Sequence, residues 1–245
     1  RIKGKKAKIL NPNWILINHQ NWKLNFQEEL NEHVLVATDT EQGNIYMVGA
    51  ENLYIFSGIS KEVKKVKYKD TPVFFNRIFR VLFNSRDQKI YCYHADNGFI
   101  YTLNPNTAEW TQNNPVNIKE SIYRHHNSYF DVAKNHIYIL GGYGLHTYKN
   151  KILRIDLSTG ICENLPTNDS IFSPRYLAGL GALNDTLYIF GGYGSNSGNQ
   201  LINPHSFYDI FGYSTQNGRL FKKFEVPNII GEMIVGNSMW VDEKT

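Results

Sequence analysis

Three arginines recur along the chain at a spacing that could serve chemistry. Arg77, Arg124 and Arg175 each stand 16 or 17 positions before a Gly-Gly pair or the residues that replace it. A guanidinium binds a carboxylate or another anionic group through two parallel N–H bonds. The spacing therefore predicts a ring of cationic side chains that binds an anionic ligand. The alternative is that each arginine pairs with a carboxylate or a backbone carbonyl of a neighbouring unit of the fold.

Two tyrosines and one histidine lie in segments that could form a binding surface. Tyr143 and Tyr193 each follow a Gly-Gly pair, and the loop that continues from the second, residues 193–206, is rich in Asn, Ser and Gly and contains His205. Long loops on a rigid scaffold often carry function. Exposed tyrosines would offer aromatic surfaces to a sugar ring or a peptide, whereas buried ones would pack on neighbouring structure. We predict Tyr143, Tyr193 and His205 as ligand-binding residues.

These residues belong to a unit that is repeated along the chain. An aromatic residue marks the second strand-like run of each unit, at intervals of 45, 47, 50 and 52 residues: Tyr46, Tyr91, Tyr138, Tyr188 and Trp240. Aromatic and β-branched residues favour strands, and polar turn formers separate the runs. The period of about 50 residues predicts a series of all-β units.

The two most complete units read YRHHNSYFDVAKNHIYILGGYG over residues 123–144 and SPRYLAGLGALNDTLYIFGGYG over residues 173–194. They resemble the kelch repeat, the four-stranded blade of a class of β-propellers that includes the central domain of galactose oxidase. The resemblance is strong over residues 118–228 and degenerate before them, where the Gly-Gly pair is incomplete. It implies an all-β propeller whose ligands bind on loops at one end of the central channel.

The resemblance also implies a domain organisation, a single propeller over residues 1–245. Each chain end contains strand-like runs for half a blade, and joining the two halves would remove free sheet edges. We therefore predict five blades, with approximate bounds of 31–70, 71–117, 118–169, 170–228, and 9–30 plus 229–245 for the shared blade. The chain starts at Arg1 without an initiator methionine, so the alternative is a fragment of a propeller with six or seven blades.

Composition and charge argue against several classes of function. The net charge of +4 is spread along the chain. The basic run at residues 61–69 partly alternates, which favours an exposed outer strand over a nucleic-acid site. Without a run of about 18 apolar residues, no membrane-spanning segment is predicted. Cys92 and Cys162 have neither the spacing of metal ligands nor that of a disulfide framework.

Two enzymatic alternatives follow from the resemblance. Copper enzymes similar to galactose oxidase use tyrosine and histidine ligands, and Cys92 and His94 would point to one face of their strand, but no complete ligand set can be assigned. His125 and His126 would point to opposite faces. An enzyme similar to sialic-acid mutarotases would place arginine and an acid–base residue in the channel, roles that the arginines and Glu120 could take. We predict no cofactor and no metal.

The predicted function is recognition without catalysis. A rigid propeller whose loops bind a protein, a peptide or a carbohydrate accounts for the arginines, the tyrosines and the long loop. The Asn-, Lys-, Ile- and Tyr-rich composition and the missing start favour a sensor domain of a larger protein, in the periplasm or outside the cell. The alternative is a carbohydrate-active enzyme of the mutarotase or oxidase type, which needs convergent titratable groups with shifted pKa values.

Overall fold

The structure, a computed structural model, describes residues 30–70, 79–113, 116, 118, 123–167, 171–225, 235, 236, 239 and 241. Every regular element assigned within them is a β-strand, so the described chain is all-β, as the sequence predicts. Arg77, Glu120 and nearly all of the predicted shared blade lie outside these residues. Within the described ranges, no helix has the length and apolarity that crossing a membrane requires.

The chain divides into two compact units built from alternating stretches of sequence. The first unit takes its described residues from 1–77, 81–90 and 103–110, and the second takes them from 78–80, 91–102 and 111–245.

The first sheet lies in the first unit and is an antiparallel meander of four strands in chain order. Its strands are β1 (Leu35–Asp39), β2 (Asn44–Val48), β3 (Asn52–Phe56) and β4 (Val63–Lys67). The central strands β2 and β3 are apolar and largely buried, whereas the outer strand β4 exposes Lys64, Lys65 and Lys67. Lysines on an outer strand discourage its free edge from pairing with another chain.

The second sheet also has four strands in chain order. They are β5 (Phe79–Asn84), β6 (Lys89–His94), β7 (Ile100–Asn104) and β8 (Glu109–Gln112). β6 is buried from Ile90 to His94. A continuous apolar run of this length is typical of a strand that is buried on both faces.

The third sheet lies in the second unit and carries an extra hairpin. Its strands are β9 (Asn127–Asp131), β10 (His136–Leu140), β11 (Tyr143–Gly144), β12 (Thr147–Tyr148), β13 (Ile152–Asp156) and β14 (Ile161–Leu165). The main strands pair antiparallel in the order β9–β10–β13–β14, and β11 pairs with β12. The hairpin therefore stands between the second and third main strands.

The fourth sheet, also in the second unit, has the same connectivity with a longer insertion. Its strands are β15 (Arg175–Tyr176), β16 (Gly179–Leu183), β17 (Thr186–Phe190), β18 (Tyr193–Gly194), β19 (His205–Ser206), β20 (Asp209–Ser214) and β21 (Arg219–Glu225). The main strands pair antiparallel in the order β16–β17–β20–β21, while β15, β18 and β19 form a small separate sheet.

One backbone hydrogen bond recurs near the end of the second main strand of every sheet. An N–H there donates to a carbonyl near the start of the third strand at 2.9–3.0 Å: Gly49 to Asn52, His94 to Phe99, Gly141 to Lys151 and Gly191 to Asp209. The four-stranded sheets therefore share this backbone hydrogen bond even where the sequence lacks a Gly-Gly pair.

The third and fourth sheets pack on each other through one apolar cluster. Its buried members come from both sheets and from the segment that joins them: Tyr138, Leu140, Ile152, Phe172, Ala178, Leu187, Ile189, Phe211, Tyr213 and Leu220. Fully burying each large apolar side chain contributes roughly 1.5–3 kcal/mol. This cluster is the core that holds the loops of the two sheets in a fixed relation.

Aromatic pairs also connect strands of different sheets. In the first unit, the rings of Tyr46 and Phe83 stack with their centres 4.8 Å apart. In the second unit, the ring centres of Tyr91 and Phe130 lie 5.7 Å apart. Three of the aromatic residues that mark the sequence repeat, Tyr46, Tyr91 and Tyr138, are therefore buried packing residues.

Replacing Gly192 by alanine tests the close approach at the Gly-Gly turn. Gly192 has a φ of +101°, and a Cβ there would lie 2.9 Å from the Tyr176 carbonyl oxygen. Because conformation and contact both oppose a side chain, Gly192→Ala should lower the free energy of unfolding by about 2–3 kcal/mol. Gly160 also has a positive φ, +71°, but open space around it. Gly160→Ala should lose only about 1 kcal/mol in the same urea denaturation, and equal losses would contradict the contact.

Candidate functional site

The loops that follow the Gly-Gly pairs of the third and fourth sheets are hydrogen-bonded to each other. The backbone N–H of Tyr148 donates to the carbonyl of Gly198 at 2.7 Å, and that of Gln200 donates to the carbonyl of His146 at 3.0 Å. Backbone bonds of this kind fix one loop against the other. The hairpin and the long insertion therefore form one continuous surface.

We call the surface made by residues 143–149 and 193–206 the loop face. A cluster of four tyrosine rings stands at this surface, with neighbouring ring centres 4.8 to 6.3 Å apart: Tyr143, Tyr148, Tyr176 and Tyr193. Tyr148 is buried and the other three are partly exposed. Burial raises the pKa of Tyr148 and Tyr176, so both hydroxyls stay protonated at neutral pH and can donate hydrogen bonds.

Large apolar side chains project from the loop face into solvent. Leu145 is 75% exposed, Leu201 is 81% exposed and Ile202 is 51% exposed. Single exposed apolar residues are common on protein surfaces, but a group of them beside clustered aromatic rings is typical of an interaction site. The loop face therefore combines a partly buried aromatic layer with exposed aliphatic tips.

The hairpin tip is strained. Leu145 and His146 alone connect β11 to β12, and both have positive φ, 48° and 60°. A two-residue connection of this kind is a type I′ turn, which strongly prefers Asn-Gly. A leucine in this conformation is unfavourable by roughly 1–2 kcal/mol, and its exposed side chain recovers little of that by packing.

Arg124 and His125 flank the tyrosine cluster. Arg124 and Tyr143 exchange two backbone hydrogen bonds, both 2.9 Å long. The ring of His125 stacks on that of Tyr143, with the centres 5.5 Å apart and the planes 2° from parallel. Partial burial, then the cations Arg80 and Arg124, lower the pKa of His125. The imidazole is therefore neutral at physiological pH and lies in a positive potential.

Arg175 differs from Arg124 because it is buried and fully paired. It is 1% exposed, and its guanidinium binds both carboxylate oxygens of Asp209. The same side chain donates to the carbonyl of Gly191 at 3.1 Å and to that of Ser173 at 2.9 Å. The ring centre of Phe207 lies 4.0 Å from its central carbon. This geometry gives Arg175 an internal role, but the partners of its guanidinium belong to its own predicted blade, residues 170–228, and not to a neighbouring one.

A difference in turn length explains why the two arginines are not equivalent. The turn between β9 and β10 spans residues 132–135, whereas the turn between β16 and β17 has only residues 184 and 185. Arg124 pairs with Tyr143 across the strands, but Arg175 pairs with Gly194, one position further along. Because side chains alternate between faces along a strand, this shift exposes one arginine and buries the other.

The structure brings only some of the predicted binding residues together. Tyr143 and Tyr193 both contact Tyr176, a residue that sequence reasoning did not predict, and Arg124 pairs with Tyr143 through its backbone. His205 lies at the far end of the long loop, exposed, with Nδ1 2.8 Å from the carbonyl oxygen of Asn203. Arg77 lies outside the described residues.

His126, next to His125 in sequence, is a buried structural residue. It is 3% exposed. Its Nδ1 donates to the carbonyl of Tyr123, so its Nε2 accepts the hydroxyl proton of Tyr93 at 2.8 Å. Burial lowers the pKa of His126 from 6.5 to about 4. The neighbouring histidines therefore have separate roles, although they precede β9 and His125 has a positive φ of 50°, so the regular strand alternation that the sequence suggested does not apply to them.

Metal and thiol chemistry find no support in the described part of the chain. No group of three His, Cys, Asp or Glu side chains within it could hold a metal ion. Burial raises the pKa of the Cys92 thiol, and burial raises that of Cys162 to about 11. Since the thiolate is the reactive form, both cysteines are poor nucleophiles at neutral pH.

Comparison with known proteins adds no functional guide: no family model and no curated protein matches the chain. The function is therefore inferred from the loop face itself.

Replacing Asp209 tests the internal role of Arg175. Asp209→Ala should lower the free energy of unfolding by about 3–5 kcal/mol, because it leaves a buried cation without a counterion. Arg175→Met combined with Asp209→Leu should recover much of this loss, since neither charge then remains. The exposed pair of Arg154 and Glu163, 2.5 Å apart, is the control, and Glu163→Ala should cost at most about 1 kcal/mol. Similar small losses in urea denaturation would contradict the internal role.

The lowered pKa of His126 predicts a loss of stability in acid. The unfolded chain binds a proton at this residue below pH 6.5, whereas the folded chain does so only near pH 4. The contribution of neutral His126 to the free energy of unfolding is therefore complete above pH 6.5. It is lost as the pH falls to about 4, and the total loss is about 3 kcal/mol. His126→Asn should show a shallower pH dependence of unfolding free energy than the exposed-site control His205→Asn. Parallel curves for the two variants would show that His126 does not cause the loss.

Proposed function

We propose that the chain is a kelch-like β-propeller that acts as a non-catalytic recognition module. Four sheets of four strands with the same strand order support the propeller, as does the backbone hydrogen bond that recurs in each. The face-to-face packing of the third and fourth sheets is what neighbouring blades require. The resemblance of the third and fourth units to kelch repeats points the same way.

We also propose that a fifth blade, shared by the two chain ends, closes the ring. Leu180 and Ala182 pack against the core cluster, so Gly181 between them faces the other side of the fourth sheet. A Cβ at Gly181 would meet Val241 and would lie 3.2 Å from Met239. Met239 and Val241 therefore lie on the side of the fourth sheet where the next blade would pack.

The loop face is the proposed binding surface, and its exposed aliphatic tips are the observation that carries this function. Leu145, Leu201 and Ile202 have no polar group that could bind a sugar hydroxyl. Aliphatic side chains beside aromatic rings instead match the anchors that protein interfaces use. A protein or peptide is thus the preferred partner, ahead of a carbohydrate ligand or a carbohydrate-active enzyme.

Selection of peptides tests this function. Random twelve-residue peptides displayed on phage and selected on the protein should bind the loop face. Leu201→Ser should weaken their binding about tenfold or more in calorimetry, because it removes an interface anchor. The melting temperature should not change, since Leu201 is 81% exposed.

Ile59 provides the matched control. It is 85% exposed and lies in the other compact unit. Ile59→Ser should bind the selected peptides as the unchanged protein does. Full binding by Leu201→Ser, or an equal loss in Ile59→Ser, would place the binding surface elsewhere.

A further inference from the structure

We infer that the peptide recognised at the loop face is acidic and apolar, with a carboxylate next to an aliphatic or aromatic side chain. This inference rests on the proposed function and specifies its partner.

The loop face contains no acidic residue. Residues 143–149 read YGLHTYK and residues 193–206 read YGSNSGNQLINPHS. The adjoining residues 123–127, YRHHN, contain none either. These three segments therefore carry only cations and neutral groups, and a carboxylate that approached them would meet no repulsion from their side chains. The carboxylate of Asp96, which follows β6 of the second sheet, accepts the backbone N–H of Tyr123 at 2.9 Å.

Two acidic residues of the same two sheets lie at the opposite ends of the strands. Asp131 ends β9, and Asp185 lies in the turn between β16 and β17, whereas the loops of the loop face follow the other ends of β10 and β17. The Lys134 ammonium lies 3.5 Å from Asp131 and 2.6 Å from Asp185. The acidic residues at the loop-face end of the fourth sheet, Asp209 and Glu225, are each paired with a cation as well.

Two cations, Lys149 on the loop face and Arg124 beside it, have no carboxylate partner among the residues that the structure describes. Arg124 is exposed, and its side chain makes no ion pair or hydrogen bond with the described residues. Lys149 forms no ion pair within that part of the chain either, and its ammonium lies 6.0 Å from the ring centre of Tyr123. Arg175 contrasts with both, because Asp209 neutralises it in the interior. Arg124 and Lys149 are therefore available to a carboxylate from outside.

The apolar tips select a peptide over another polyanion. A nucleic-acid site would combine cations that contact phosphates with groups on which bases stack. Leu145, Leu201 and Ile202 instead offer aliphatic surface within the same loops. Tyr143 pairs with Arg124 through its backbone, and it is also the first residue of the hairpin whose tip contains Leu145. A peptide with a carboxylate close to an apolar side chain would therefore contact both the cations and the aliphatic side chains.

The strained hairpin tip is consistent with selection for binding. Leu145 and His146 occupy positions where Asn-Gly would be more stable. Strain of this kind persists at ligand-contacting segments when the residue serves function. Leu145→Asn with His146→Gly should therefore raise the melting temperature by several degrees and weaken peptide binding about tenfold. A lower melting temperature, or unchanged binding, would contradict the assignment of Leu145 as a contact residue.

The composition of selected peptides tests the inference. Peptides from the random library should be enriched in Asp or Glu within a few positions of Leu, Ile or an aromatic residue. Their affinity should fall as NaCl rises from 50 to 500 mM. Arg124→Glu should weaken binding about tenfold or more, whereas Arg219→Glu, an exposed arginine on β21, should not. Peptides with Lys in place of Asp or Glu should regain binding to Arg124→Glu.

The outcomes separate this inference from the proposed function. Selected peptides that depend on Leu201 but are neutral or basic would overturn the acidic partner and leave recognition by the loop face intact. Peptides that bind Leu201→Ser fully, or no enrichment at all, would overturn both. Tighter binding of a single-stranded DNA oligonucleotide than of the best acidic peptide would also overturn the inference.

Discussion

Arg175 is held through its backbone and through its guanidinium, and it thereby fixes the loops of two repeats at once. Its N–H donates to the carbonyl of Lys149, and its own carbonyl accepts the N–H of Gly142, both at 2.9 Å. Its side chain holds Asp209, at the start of β20. The long loop between Gly191 and Asp209 is therefore clamped at its two ends by the residue that also anchors the preceding hairpin.

This constraint explains how irregular loops can present a defined surface. The cation is desolvated, so its stability depends on complete pairing, and any displacement of Asp209 or of the Gly191 carbonyl would leave it unsatisfied. Three phenylalanine rings enclose it, with Phe172, Phe207 and Phe211 centred within 5.4 Å of its central carbon. The loop face consequently rests on a rigid base, and the strain at its hairpin tip does not spread into the sheets.

The sequence predicted the strands better than the positions of the arginines. Aromatic residues at a regular interval mark central strands, because large rings fill the space between packed sheets. In the sequence, Arg124 and Arg175 lie at almost the same distance from their Gly-Gly pairs. The turns between the first two main strands nonetheless differ by two residues, and the pairing of the arginine is shifted by one residue. A one-residue shift reverses the face of a side chain. Counting along the sequence therefore cannot decide which arginine is buried.

The hairpin of the loop face was also hidden from the sequence. A two-residue turn is normally recognised by Asn-Gly or Asp-Gly, but Leu145 and His146 carry no such signal. Tyr148, whose partner across the hairpin is Tyr143, was missed for this reason. Tyr176 follows Arg175 directly and pairs with Tyr193, so the register of β15 and β18 was needed to place it. Contacts between loops distant in sequence decide the site.

Hydrogen–deuterium exchange of the protein, with and without a selected acidic peptide, would test the central claim most directly. Slower exchange on binding should appear in residues 143–149 and 193–206 and should leave β3 and β4 unchanged. The reverse pattern, with protection confined to the turns at residues 132–135 and 184–185 or to the first sheet, would contradict recognition by the loop face.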